Sequence, residues 1–153
     1  MASVVQILIA SSPTEAPVNV EKVRAVPGLG LEGDRYWKGT GTFLTHPRKA
    51  DYELTLVQKE HLDAFAAESG LAFGPREARR NIVTCGVDLN ELVGREFRIG
   101  DVLIRGIRLC EPCNYLAKQT SSEVLRGLVH KGGLRAQILI KGIITVGDSL
   151  SYA

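Results

Sequence analysis

Short apolar runs rich in Val, Ile and Leu recur along this chain, separated by polar residues, glycine and proline. Runs of this length and bounding predict strands. They cover Val4–Ala10, Val18–Val26, Tyr52–Val57, Asn81–Thr84, Val102–Cys110, Leu134–Lys141 and Ile143–Val146. The helical period is convincing over Gln58–Ser69, where Leu62, Phe65 and Ala66 share one side and Gly70 supplies a C-terminal cap. A second helix is predicted over Ser122–Lys131, stopped by Gly132-Gly133. Asp88 and Glu91 have capping-box spacing, which predicts a short helical turn. Gly100-Asp101 and Gly147-Asp148 each sit between apolar runs and read as strand-to-strand corners. Residues 40–50 read as a long surface loop. The pattern as a whole predicts a mainly β, mixed α+β domain: a closed or nearly closed barrel with a few peripheral helices.

Length and composition narrow this picture. At 153 residues the chain is of single-domain size and needs no disulfide or metal to build a core. No linker or low-complexity segment divides it, so residues 1–153 are read as one domain. A formal net charge of +2 gives no compositional case for nucleic-acid binding. Residues 1–12, MASVVQILIASS, have no basic segment ahead of their apolar run, as a signal peptide would, and fit a first strand. No run is long enough to predict a membrane span. An odd number of cysteines, three, does not suggest a secreted disulfide framework. The expected location is the cytoplasm, with neither nucleic acid nor membrane as a partner.

Two of those cysteines, Cys110 and Cys113, form a C-x-x-C at the end of a strand-like run. Such a pair can ligate zinc, but a zinc site needs further Cys or His ligands, and Cys85, His46, His61 and His130 show no partner spacing. A thioredoxin-like redox motif requires a βαβ setting, which the surroundings do not suggest. If Pro112-Cys113 opens a short helix through Ala117, backbone dipoles would favour a Cys113 thiolate. Two small buried residues at a strand end remain an equally good reading of the pair alone.

Basic residues supply the second candidate chemistry. Arg76, Arg79 and Arg80 precede the strand that starts at Asn81; Lys131 and Arg135 flank Gly132-Gly133, and Arg35 follows Gly33-Asp34. Glycine lets backbone N–H groups approach an anion, and arginine clamps phosphate or carboxylate with two prongs. Any one of these arginines is explained by solvation, but several in Gly-flanked turns point to an anion site. The run Gly28-Leu29-Gly30-Leu31-Glu32-Gly33 lacks the βαβ context of a dinucleotide loop. His61 reads as solvated on its helix, His46 as a loop residue, and His130 as a helix C-terminal group that the dipole favours.

Taken together, GLEGDRYW (30–37), ARRNIVT (78–84), VDLNELVGREFRIGDV (87–102), RLCEPC (108–113), GLVHKGGLRA (127–136) and TVGDSL (145–150) closely resemble the MOSC domain, named for the C-terminal domain of molybdenum-cofactor sulfurase. The resemblance implies a mixed, mostly antiparallel β-barrel. It also implies molybdenum-cofactor chemistry: some relatives bind the cofactor and reduce N-hydroxylated small molecules, drawing on an electron-transfer protein. In these the residue matching Cys113 is the metal ligand and the catalytic residue. Arg35, Arg79, Arg80, Asn81, Lys131 and Arg135 are the expected contacts to the cofactor's pterin and phosphate. Sulfurase-linked members handle sulfur for that cofactor and bring an association with pyridoxal phosphate. This implies an alternative role for Cys113 as a persulfide sulfur carrier served by a cysteine desulfurase. A non-catalytic anion-binding module is a third reading. One position departs from the pattern: Tyr36 stands where many members have histidine.

Overall fold

The computed structural model describes residues 2–12, 14–38, 52–70, 73–110 and 132–153. Cys113, Lys131, His46, His130, the loop expected over residues 40–50, and the helices expected over residues 112–117 and 122–131 lie outside them.

The described strands are β1 Ser3–Ile9, β2 Val18–Asn19, β3 Lys22–Val26, β4 Gly30–Leu31, β5 Leu54–Gln58, β6 Ile82–Cys85, β7 Glu96–Ile99, β8 Val102–Leu109, β9 Leu134–Ile140, β10 Gly142–Thr145 and β11 Leu150–Tyr152. The helices are α1 Arg35–Lys38, α2 Lys59–Ser69 and α3 Pro75–Ala78, with a 3-10 turn at Leu89–Leu92. Each expected strand within the described residues is present, but the run Val18–Val26 is two strands. It breaks at Val20-Glu21, where Val20 N–H turns back to the Ile7 carbonyl. The expected turn of helix after Asp88 is the 3-10 turn, and the Asp88 carboxylate accepts from Asn90 N–H. α2 ends as expected: Gly70 is left-handed and its N–H bonds the Ala66 carbonyl.

Strands of the main sheet run in the order β11-β7-β8-β9-β5-β6-β1-β2, and β10-β3-β4 form a second sheet. All pairings are antiparallel except β5 with β6, whose crossover carries α2 and α3. Of the two expected forms, closed or nearly closed, the structure shows the second: among the described residues no ladder closes the main sheet. Its two ends meet through the isolated bridge Ser3–Ser149, flanked by bonds from Val4 N–H to the Asp148 carbonyl and from Leu150 N–H to the Ala2 carbonyl. The contact is antiparallel, so β11 runs away from β1 beyond Ser3, and farther along β1 the positions Leu8 and Ile9 are already paired with β2. The Gly-Asp corners lie where expected, between β7 and β8 and between β10 and β11. They also touch: Gly100 N–H bonds the Ser149 carbonyl, while the Asp148 carboxylate caps Thr145 N–H.

The larger core lies between the inner face of the main sheet and the second sheet, and is built by Ile7, Leu31, Leu54, Leu56, Ile82, Ile104, Leu134 and Ile144. A smaller one lies under the crossover, where Leu62 and Phe65 of α2 meet Phe73, Ala78, Leu8, Val57 and Val83. Period-two alternation explains the division: Leu56 faces the first core and Val57 the second. Among the described residues no helix is long and apolar enough to cross a membrane.

Candidate functional site at the β8–β9 strand ends

β8 and β9 pair as far as Leu109 with Leu134, and Cys110 N–H then bonds the Gly133 carbonyl. The chain therefore leaves the sheet at Cys110 and rejoins it at Gly132 in almost the same place. Arg80 secures both ends: its Nε donates to the Gly132 carbonyl at 2.9 Å and its Nη2 to the Cys110 carbonyl at 3.3 Å. Among the described residues these bonds take two of its five N–H donors. Cys110 is 1% exposed and its thiol is free.

The strand pairing sets a polar row across the sheet. Arg108 of β8 opposes Arg135 of β9, and Arg135 opposes Thr55 of β5. Thr55 in turn bonds Asn81 at the foot of β6. Arg135 is only 9% exposed, with its guanidinium carbon 5.2 Å from the centre of the Tyr52 ring. Tyr52 stacks on Tyr36 at 6.1 Å and 23°, and the Arg35 guanidinium lies 4.9 Å from the Tyr36 ring centre. Arg35, also 9% exposed, reaches the Asp34 carboxylate at 3.5 Å. Asp34 is fully buried; it ties α1 to the end of β1 by accepting from Ala10 N–H at 3.0 Å.

Of the sequence-predicted residues, then, Arg35 and Arg135 are joined through two aromatic rings, and Arg80 sits at the root of the Cys110–Gly132 excursion. Arg79 goes elsewhere. Among the described residues it is the non-glycine residue with positive φ (56°), and it ends α3, a turn that sends its side chain to the Glu15 carbonyl at 2.8 Å. Asn81 was expected against a ligand, but it is 2% exposed inside the sheet. Its Oδ1 accepts from Thr55 N–H at 3.1 Å and Thr55 Oγ1 at 3.2 Å, and its Nδ2 donates to the Leu8 carbonyl at 3.2 Å. That side chain fastens β5, β6 and β1 together and fixes where Arg80 starts. Asn81→Ala is expected to cost about 3 kcal/mol, because it leaves the buried Thr55 N–H and Leu8 carbonyl without these partners. Urea unfolding measures the loss, and a change below about 1 kcal/mol rules out the fastening role.

Tyr52 and Arg108 were missed from sequence. Arg108 carries a signal in hindsight: two residues before Cys110 on a strand, it shares that strand's face with the site. Tyr52 carries none, since its partner Tyr36 is distant in the chain. A separate cleft of about 530 Å³, lined by Gln58, Glu60, His61, Asp88 and Asn90, contains none of the predicted residues.

Next to Tyr52, Glu53 is 8% exposed and accepts from Ile138 N–H at 3.0 Å. Burial raises its pKa above the ordinary 4.5, with the Ile138 and Gly28 N–H groups acting in the opposite direction. Between the unfolded and raised folded values the folded chain binds more protons than the unfolded one. Glu53 therefore contributes stability at low pH that is lost as pH rises from about 4.5 through its folded value. Glu53→Gln is expected to flatten this part of the stability–pH curve. Parallel wild-type and variant curves between pH ~4 and ~7 would refute the assignment.

A mixed sheet of this order, with arginines gathered where a C-x-x-C segment leaves it, defines a MOSC-type α+β fold. The MOSC domain model matches residues 41–151, and the chain belongs to that family. In fold it is similar to the YuaD protein from Bacillus subtilis, with a TM-score of 0.80, 17% identity, and coverage of 98% of this chain and 94% of that one. YiiM from Geobacillus stearothermophilus superposes with a TM-score of 0.77 at 16% identity, covering 100% of this chain and 75% of that one. YiiM from Escherichia coli gives 0.71 at 20% identity, covering 99% and 69%. No curated protein matches the sequence significantly.

Proposed function

We propose that this chain is a molybdenum-cofactor-binding MOSC domain acting on N-hydroxylated or related small substrates, with Cys113 as the metal's protein ligand. The observation that carries this reading is the placement of Arg80. It holds the two ends of the segment that contains Cys113, on the same strands that bring up the buried Arg135.

The donor set fits the cofactor at its anionic end. Two guanidiniums, each about nine-tenths buried, are held over aromatic rings, and such preoriented cations suit a phosphate. At the metal end, the described residues contain no group of three or more His, Cys, Asp or Glu side chains able to hold an ion. On this reading the protein contributes one soft thiolate, and the cofactor's own sulfurs complete the centre. Covalent geometry keeps Cys113 within about 11 Å of Cys110, three peptide links away.

Arg35, Arg135 and Lys131 neutralise the phosphate, Arg80 orients the base of the thiolate-bearing segment, and Asn81 positions Arg80. Held there, the cofactor would supply a two-electron, two-proton reduction of N–OH to N–H with the oxygen leaving as water, the electrons coming from an electron-transfer protein and the protons from solvent. The protein's part is orientation and charge.

Sulfur carriage uses the same residue. The Cys113 thiolate would take the outer sulfur of a desulfurase persulfide, releasing the desulfurase thiolate. Pyridoxal phosphate belongs to that donor. Protein made in a cofactor-producing host decides between the readings. Molybdenum approaching one atom per chain supports cofactor binding. Metal-free protein that gains one sulfur atom in intact mass after desulfurase treatment supports carriage instead.

A further inference from the structure

We propose that Tyr52 is a positioning residue of the anion site, its ring fixing the Arg135 guanidinium where the phosphate is received. The proposal rests on the cofactor reading above and adds to it a residue that lies outside the expected ligand set.

An arginine has many rotamers, and a site that orders it only on binding loses affinity by that ordering. Here the ordering is built in. Arg135 is covered on one side by Tyr52, whose ring centre is 5.2 Å from the guanidinium carbon. Tyr52 has few rotamers and is itself stacked at 6.1 Å on Tyr36, which is 4% exposed. Tyr36 also carries the Arg35 guanidinium over its ring, and Arg35 reaches the buried Asp34. The sequence is guanidinium, ring, ring, guanidinium, with the buried carboxylate at its end. The Tyr52 ring face itself brings no negative charge to Arg135, as a carboxylate in that position would.

The test measures binding of inorganic phosphate to the purified full chain by ³¹P NMR titration at fixed ionic strength, for wild type, Tyr52→Leu, Tyr52→Phe, Arg135→Ala and the Tyr52→Leu/Arg135→Ala double variant. Tyr52→Leu is expected to weaken phosphate binding about fivefold, and Tyr52→Phe to restore it because the ring face is retained. The double variant is expected to bind no worse than Arg135→Ala alone, since Tyr52 acts through Arg135. Unchanged affinity in Tyr52→Leu, losses that multiply in the double variant, or failure of Phe to rescue each overturns the proposal while leaving the cofactor reading intact. Unchanged affinity in Arg135→Ala overturns the phosphate assignment itself, and the role of Tyr52 falls with it.

Discussion

Gly133→Ala is expected to remove about 2–6 kcal/mol of folding free energy, a large part of the margin of an ordinary domain. Two effects add. Gly133 has φ +110°, a conformation that side-chain-bearing residues rarely adopt, and a Cβ there would fall 1.9 Å from the Leu56 carbonyl oxygen and 3.0 Å from its carbon. The obstacle is backbone in the middle of β5, so no rotamer change relieves it. β9 must separate from β5, breaking the pairing that places Arg135 opposite Thr55. Gly147 provides the control. Its φ is +97° and nothing lies within 4 Å of its would-be Cβ, so Gly147→Ala carries the backbone strain alone, about 1–3 kcal/mol. Urea unfolding of the two variants separates strain from collision. Equal losses would show that the strands yield without cost.

On the proposed reading, with Cys113 as the metal's ligand, Cys113→Ser is expected to lower molybdenum content by at least about tenfold, while Cys110→Ser lowers it little. Removing even a partner that only orients a metal ligand costs roughly 10–100-fold in metal affinity, so loss of the ligand itself costs no less. Serine is a poor substitute because its hydroxyl is not ionised near neutral pH and its oxygen is hard where the centre is soft. Cys110 differs in kind. It is buried and its backbone serves as a hinge point, with its N–H on the Gly133 carbonyl and its carbonyl on Arg80. These bonds survive substitution of the side chain. Metal analysis of the variants, alongside circular dichroism for folding, provides the measurement. Equal loss in both would assign the metal to the pair, and no loss in Cys113→Ser would remove it from the chemistry.

The strands were legible from sequence wherever their apolar runs exceeded about four residues, as in β1, β8 and β9. β4 and α1 were not. Gly30-Leu31 is a two-residue pairing, and Arg35–Lys38 is a single turn of helix whose start is set by the buried Asp34. Neither is long enough to show a period. Openness of the sheet was also hidden, because closure depends on whether β1 meets β11 over several residues or at one bridge, and no local pattern records that. At the site, the glycines beside Arg35 and Arg135 and the strand start after Arg80 drew attention to these arginines from sequence. Their destinations were another matter. Arg79 and Arg80 are adjacent in sequence, yet the left-handed turn at Arg79 directs one toward Glu15 and the other toward Gly132. Asn81 looked like a ligand contact by chemistry and is a strand fastener by geometry.

Because β8 and β9 are zipped together up to Leu109 and Leu134 and clasped just beyond by one guanidinium, the alignment of these two strands is fixed by contacts within the frame itself. Arg80→Met is therefore expected to loosen the mouth of this strand pair first, leaving the register farther along β8 and β9 in place.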